Sequence, residues 1–334
     1  MSSDLMSAIH SLPKVELHRH LEGAIRPGTI GDICREYGVK LPTYDAAELS
    51  KLVQLREPAS NLTGFLEPFK LIKSCFVNQD AISRITYEAI NDACLDNVQY
   101  VEFRFAPEYM AFCHGLSLNE VMDGIVQGVE MASRNFLTVV KLIVSICRDR
   151  SPETMGSEWP SAMEIARTAV EYADRGVVGF DLSGIESGFP PELFVEPFRI
   201  AREAGLGITV HAGEDAGPES VRGAIEHLGA TRIGHGVRIV HDPEVMRLAV
   251  DRGVAFEVCP TSNVLTRAVE SLDAHPIRRM FDAGLAVTVN TDDPSVCGVT
   301  LSDELVLLNE RFGFSLSAIE QLMDNARRSA FFKM

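Results

Sequence analysis

One pattern governs what this chain can fold into: a short apolar run rich in β-branched residues, then a stretch of helical periodicity, repeated eight times. The strand-like runs lie near Lys14–His20, Val98–Phe105, Val139–Ile146, Val177–Asp181, Gly207–His211, Arg232–Gly234, Val254–Val258 and Ala286–Asn290. Between them run amphipathic stretches such as Leu118–Ala132, Ala162–Ala173, Leu193–Ala204, Pro243–Val250 and Pro276–Ala283. Several close on a helix-ending glycine: Gly176, Gly205, Gly253 or Gly284. Strands that alternate with helices build a parallel sheet with the helices packed over it. Eight such units predict an α/β fold, a (β/α)8 TIM barrel, with residues 1–334 forming one domain.

A minimal barrel of this kind takes ~250 residues, so the chain carries a surplus. It lies between His20 and Val98, where the gap far exceeds the roughly 25 to 40 residues that separate later strands. A segment that long should hold structure of its own. Leu49–Leu55 and Leu62–Phe76 read as short helices, so a helical insertion is expected after strand 1, at about residues 40–80. There it reaches the C-terminal face of the barrel, where active sites are built, as a lid or pocket wall. The last segment, Ser317–Met334, reads as a helix that stops at Ala330-Phe331-Phe332-Lys333-Met334 without a capping signal, which leaves open whether the natural chain continues.

A formal net charge of −16 argues against nucleic acid or an anionic membrane as partner, since both need a basic face. Small molecules or other proteins remain. The seven cysteines are scattered without a Cys-x-x-Cys pair, as expected of reduced thiols in a cytoplasmic chain. Met1–Leu12 is polar and lacks the apolar core of a signal peptide, and no apolar run approaches the ~18 residues of a membrane span. Nothing in the sequence specifies an oligomeric state.

Barrel chemistry sits at the C-terminal ends of the strands. The first strand ends in His18-Arg19-His20, two imidazoles at i and i+2 that share one side. The fifth ends in His211-Ala212-Gly213-Glu214, the sixth in Gly234-His235-Gly236, the eighth in Thr291-Asp292-Asp293-Pro294. Each residue alone has an ordinary structural explanation. Together His18, His20, His211 and Asp292 make a shell of nitrogen and oxygen ligands suited to one Zn²⁺ per chain, with a position left for water. Zinc lowers the pKa of such a water from about 15.7 toward ~7. His235 and Asp293 are placed to orient or deprotonate it, and Glu214, three residues past a ligand, is the candidate general acid. The expected chemistry is metal-assisted hydrolytic attack on an electrophilic carbon. His10, His114, His227, His241 and His275 are assigned no chemistry.

With these residues in view, the chain resembles the adenosine deaminase family over nearly its whole length. The resemblance runs from Leu12-Pro13-Lys14-Val15-Glu16-Leu17-His18-Arg19-His20 through Phe103-Arg104-Phe105-Ala106-Pro107, Asp181-Leu182-Ser183-Gly184, His211-Ala212-Gly213-Glu214 and Ile233-Gly234-His235-Gly236 to Thr291-Asp292-Asp293-Pro294. It implies zinc on His18, His20, His211 and Asp292, Glu214 protonating purine N1, His235 and Asp293 acting on the water that adds at C6, and the Gly184 backbone meeting purine N3. The implied activity is hydrolytic deamination of adenosine and deoxyadenosine to inosine and ammonia, in purine salvage.

The chain departs from the family pattern at Glu22, where members acting on adenosine usually have aspartate. That carboxylate, with His20, lies toward the ribose 5′-hydroxyl. Free adenine and N6-modified purine nucleosides or nucleotides therefore stay open as substrates, although Gly234 and the Phe103–Pro107 run resemble the adenosine branch. A binuclear amidohydrolase would need a bridging lysine that Asp181-Leu182-Ser183-Gly184 lacks, and the cytidine-type signature His-x-Glu with Pro-Cys-x-x-Cys is absent. A non-catalytic purine-binding barrel is the alternative of a different class; it should have lost a ligand or Glu214, and none is lost.

Overall fold

The computed structural model of the protein describes residues 3–150 and 160–333. Eight parallel strands follow one another around the sheet in chain order: β1 (Lys14–His20), β2 (Val98–Phe105), β3 (Val139–Cys147), β4 (Val177–Ser183), β5 (Gly207–Ala212), β6 (Arg232–His235), β7 (Ala255–Val258) and β8 (Ala286–Val289). The expected (β/α)8 barrel is what forms. It closes between β8 and β1 largely beyond the regular ladder. The Asp292 carbonyl accepts the His20 N–H at 2.7 Å and the Asp292 N–H donates to the His18 carbonyl at 3.1 Å. Asn290 Oδ1 accepts the N–H groups of Leu17 and His18 at 2.9 and 3.1 Å. The seam of the barrel thus runs through three of the residues singled out above.

The outer helices follow the predicted periodicity, with ends shifted by one or two residues. Ala162–Glu171 stops short of Ala173 because Ala173–Arg175 tightens into a 3-10 turn that leads to Gly176 at φ 107°. The insertion is helical, as expected, but starts earlier: a turn at Glu22–Ala24 and a helix at Pro27–Glu36 precede Ala46–Val53. The expected helix at Leu62–Phe76 is broken into Leu62–Phe65, Phe69–Ile72 and a turn at Lys73–Cys75. Pro68 is the cause, since it lacks an N–H and its ring clashes with the preceding turn. Gln79–Leu95 then packs as a barrel helix against Leu118–Ser133. The final helix spans Leu316–Ser329, after which the chain leaves helical geometry rather than running on to the end. Met1, Ser2 and Met334, which the terminal expectations included, lie outside the described residues.

Alternation along the strands sends every second side chain into the barrel. On β2, Val101, Phe103 and Phe105 join the apolar core beneath the helices, while Tyr100, Glu102 and Arg104 point inward. Barrel interiors are ordinarily filled with branched aliphatic residues; this one holds charges. Glu102, Arg104, Asp181, Arg232 and Glu257 are at most 1% exposed. They survive burial because each is paired: Arg232 with Glu102 and Glu257 at 2.6 Å each, Arg104 with Glu257 at 2.6 Å and with Asp181 at 3.5 Å. This ladder of ion pairs runs up the barrel axis to the residues at the C-terminal face.

Candidate active site

A cleft of about 780 Å³, counting its open mouth, lies on the C-terminal face. His20, Glu22, Gly184, His211, Glu214, His235, Asp292 and Asp293 all line it, and Leu62, Phe65, Leu66 and Phe69 of the insertion form one wall. His18 lies beneath, fully buried. His10, His114, His227 and His241 do not line it.

The ring nitrogens converge because the strands end where they do. His18 Nε2 lies 3.0 Å from Asp292 Oδ1, His20 Nε2 lies 3.3 Å from the same oxygen, and His20 Nε2 lies 3.2 Å from His211 Nε2. His18, His211, His235 and Asp292 each offer an atom within 4.8 Å of the others. Gly234 permits the crowding: a Cβ there would come within 3.0 Å of His18 Cε1 and 3.3 Å of His211. His235 and Asp292 hold left-handed backbone, at φ 59° and 63°, which non-glycine residues adopt at a cost and which clusters at functional sites.

The far sides of the rings fix their tautomers. His18 Nδ1 meets the Glu257 carboxylate at 2.9 Å and His211 Nδ1 meets that of Asp181 at 3.1 Å. Each must donate there, which in the neutral ring leaves Nε2 as an acceptor; burial lowers His211, but the Asp181 carboxylate outweighs it and raises that ring above its ordinary value. His18 Nε2 is buried and has no hydrogen-bonding partner among the described residues. An imidazole lone pair facing a carboxylate oxygen at 3.0 Å, with no proton between, asks for a cation. Protonating His18 is disfavoured, since burial and then the Arg104 charge push it down to about 4. Ligands at ~2.0–2.1 Å from a tetrahedral metal stand roughly 3.3 Å apart, and the spacings just given match that. The donor set fits Zn²⁺.

His235 differs. The Ile277 N–H donates to His275 Nδ1 at 3.1 Å, so His275 carries its proton on Nε2 and gives it to Asn263 Oδ1 at 3.2 Å. The Asn263 amide must then donate to His235 Nδ1 at 2.9 Å. His235 therefore bears its proton on Nε2, which faces Glu214 Oε2 at 3.5 Å and Asp292 Oδ2 at 4.0 Å. The relay thus turns a ring N–H of His235 toward the carboxylates of Glu214 and Asp292, while His20 Nε2 stands beside His211 and Asp292.

Glu214 sits on a loop pinned from below: the Glu186 carboxylate accepts the N–H groups of Gly213, Glu214, Asp215 and Ala216 at 2.9 to 3.3 Å. Burial raises the Glu214 carboxyl above its ordinary range, with His235 pulling the other way. Burial, then the charges of Asp292, Glu22 and Glu214, push Asp293 well up. Glu22 Oε1 accepts the Ala106 N–H at 2.8 Å, while its Oε2, though buried, has no partner among the described residues. Gly184 stands at φ 88° beside Asp149, where a side chain would collide with that carboxylate.

Sequence reasoning missed the groups behind the rings. Glu257, Asp181 and Arg104 lie inside strands, and Ser262, whose hydroxyl donates to Asp292 Oδ2 at 2.6 Å, lies on a helix start. His275, given no role, orients His235 through Asn263. The one signal available was a lone carboxylate in an apolar run, as in Ala255-Phe256-Glu257-Val258.

Residues 13–334 match the family model described as adenosine deaminase. A protein named adenosine deaminase from Shewanella denitrificans is 38% identical over 96% of this chain and 95% of its own length. Among solved structures, an adenine deaminase from Arthrobacter aurescens superposes with a TM-score of 0.87 at 28% identity, over 96% of this chain and 94% of that one. A Zn-bound amidohydrolase from Burkholderia ambifaria gives 0.84 at 30% identity, over 100% and 89%. The apo N6-methyl-AMP deaminase of Arabidopsis thaliana gives 0.83 at 29%, over 98% and 94%. A match spanning the barrel and reaching every strand end leaves one conclusion: the chain belongs to the adenosine deaminase family, hydrolases acting on C–N bonds of cyclic amidines.

Proposed function

We propose that this chain is a zinc-dependent, cytoplasmic adenosine deaminase that converts adenosine and deoxyadenosine to inosine or deoxyinosine and ammonia. The observation that carries the reading is the convergence of the His18, His20 and His211 ring nitrogens beside the Asp292 carboxylate beneath a purine-sized cleft, with the buried His18 Nε2 left without a hydrogen-bonding partner among the described residues. His18, His20, His211 and Asp292 would hold one Zn²⁺. When bound, the metal supplies a Lewis acid that makes water nucleophilic at neutral pH. Glu214 delivers a proton to purine N1, drawing electron density away from C6 as water attacks there. His235 and Asp293 act on that water, His235 holding its oxygen through the Nε2–H and Asp293 taking its proton and passing it to the 6-amino group, which leaves as ammonia, while the Gly184 backbone meets purine N3. The free cysteines and the net charge of −16 suit a reducing compartment and a small-molecule substrate rather than nucleic acid. No helix among the described residues is long and apolar enough to cross a membrane.

The sugar is read by Glu22. Its unpartnered Oε2 in the cleft, with His20, is suited to a ribose hydroxyl, and a buried group left unpaired discriminates strongly against a substrate that lacks its partner. Ammonia release from adenosine, deoxyadenosine, adenine and N6-modified purines tests this. Adenosine should be turned over at least ~10²-fold better than adenine, and Glu22→Ala should narrow the gap by weakening adenosine. Adenine preferred by the wild type would mean that the longer carboxylate fills the ribose space, and would assign the chain to free-base deamination. An N6-modified purine preferred over adenosine would move the amine specificity instead.

A second expectation concerns the relay. In Asn263→Asp a carboxylate meets His235 Nδ1, which draws the ring proton to that side and strips it from Nε2. Turnover should fall by ~10- to 100-fold, as when groups that orient a site are lost, with zinc content unchanged. Tighter zinc binding in that variant would instead make His235 a ligand, because its Nε2 is then freed of the proton.

A further inference from the structure

The end of the barrel opposite the cleft is closed by a residue from outside the sheet. Past Ser329 the chain turns beneath the strands, and the Phe331 ring centroid lies 3.6 Å from Cζ of Arg232. Two backbone contacts tie the turn down: the Phe331 N–H donates to Glu102 Oε1 at 2.8 Å, and Arg232 Nη1 donates to the Ser329 carbonyl at 3.1 Å. The space for the ring is made by Gly179 on β4 and Gly207 on β5, which pair directly across the ladder. A Cβ on Gly179 would stand 2.6 Å from the ring, and one on Gly207 would overlap it. Glycine weakens a strand unless something must approach closely, and here one aromatic ring fills the space of two absent side chains.

What the ring covers is the foot of the ion-pair ladder. Glu102, held also by the Tyr100 hydroxyl at 2.6 Å, pairs with Arg232. Arg232 pairs with Glu257 Oε1, and Glu257 Oε2 meets His18 Nδ1. Three contacts therefore separate Phe331 from a ring proposed to bind metal. Ion pairs of this kind are strong only while water is kept out, and a guanidinium stacked on an aromatic face has few other orientations. Opening the floor would let water compete for Arg232 and loosen the carboxylate that fixes the His18 tautomer.

We propose that Phe331 is a positioning residue for the metal shell: stoppering the barrel floor over Gly179 and Gly207, it keeps Arg232 on Glu257 and so holds His18 in its ligating orientation. The inference rests on the metal site proposed above.

Zinc affinity of the full chain, measured by competition with a chromogenic chelator, tests it without recourse to activity. Phe331→Ala should bind zinc about 10-fold more weakly, the lower end of what loss of an orienting partner costs, and Phe331→Leu should fall between it and the wild type. Gly207→Val, which expels the ring, should match Phe331→Ala, and the double variant should be no worse than either, because both remove one stopper. Thermal unfolding of the zinc-free proteins provides the control. Wild-type affinity in Phe331→Ala or Gly207→Val, with only the unfolding temperature lowered, overturns the inference and leaves the metal site standing. No zinc bound by the wild type overturns the site and the inference together. Should Phe331→Ala fail to fold, Phe331→Leu and Gly179→Ala decide: a threefold or greater loss of affinity supports the stopper, and unchanged affinity in both removes it.

Discussion

Replacing Glu214 by glutamine is expected to lower turnover of adenosine by ~10² to 10⁴, the range that general acid–base catalysis contributes, while zinc stays bound. The amide has the shape of the carboxylate, and the loop beneath it is held by Glu186 through four backbone N–H groups, so the substitution leaves the scaffold in place. What it removes is the proton. A buried carboxyl whose affinity for a proton is raised by its surroundings suits a general acid at neutral pH; an amide has no comparable proton to give. Glu214 is not among the four proposed ligands, and its nearest ring contact is His235 Nε2 at 3.5 Å. Steady-state kinetics and zinc stoichiometry on the same preparation are the measurements. A glutamine variant with near-native turnover would make Glu214 a support for its neighbours, and one that lost its zinc would make it part of the shell.

The strands were legible because parallel strands buried on both faces read as short apolar runs, and the metal-proposed residues because they stand at the ends of those runs. The ladder was not. Glu102, Arg232 and Glu257 sit within strands: Glu102 finds Arg232 across the barrel, and Arg232 finds Glu257 on the neighbouring strand β7, so no local spacing reports the pairing. A single charge in an apolar run has two meanings, a solvent-facing edge or a buried pair, and only closure of the sheet chooses between them. The same holds for His275: it lies before a proline, far from any strand end, and reaches His235 only because Asn263 lies between them in the fold. The insertion was legible by length, but its starting point was not, since the helix that Pro27 opens carries Gly28 and Gly31, poor helix formers that mask its apolar face.

One zinc per chain is expected in the wild type, and Asp292→Ala should abolish both metal retention and turnover. The fold should survive this change. Asp292 joins β8 to β1 through its backbone N–H and carbonyl, and those bonds do not depend on the side chain. Alanine at φ 63° adds a strain of ~1–2 kcal/mol, which a domain can bear. Three neutral imidazoles would then face a dication in a buried site that already contains Arg104, and the carboxylates of Glu257 and Asp181, though near, are spent on the rings and on the arginines. Asp292→Asn separates charge from strain, because asparagine tolerates left-handed backbone and keeps an acceptor for the Ser262 hydroxyl. It should still lose most of its zinc on dialysis, whereas a strain effect alone would spare it. Metal analysis with activity measured alongside decides the assignment. Two zincs per chain would overturn the mononuclear site. Stoichiometric zinc in both variants would remove Asp292 from the shell and return His235, the remaining imidazole of the cluster, to it.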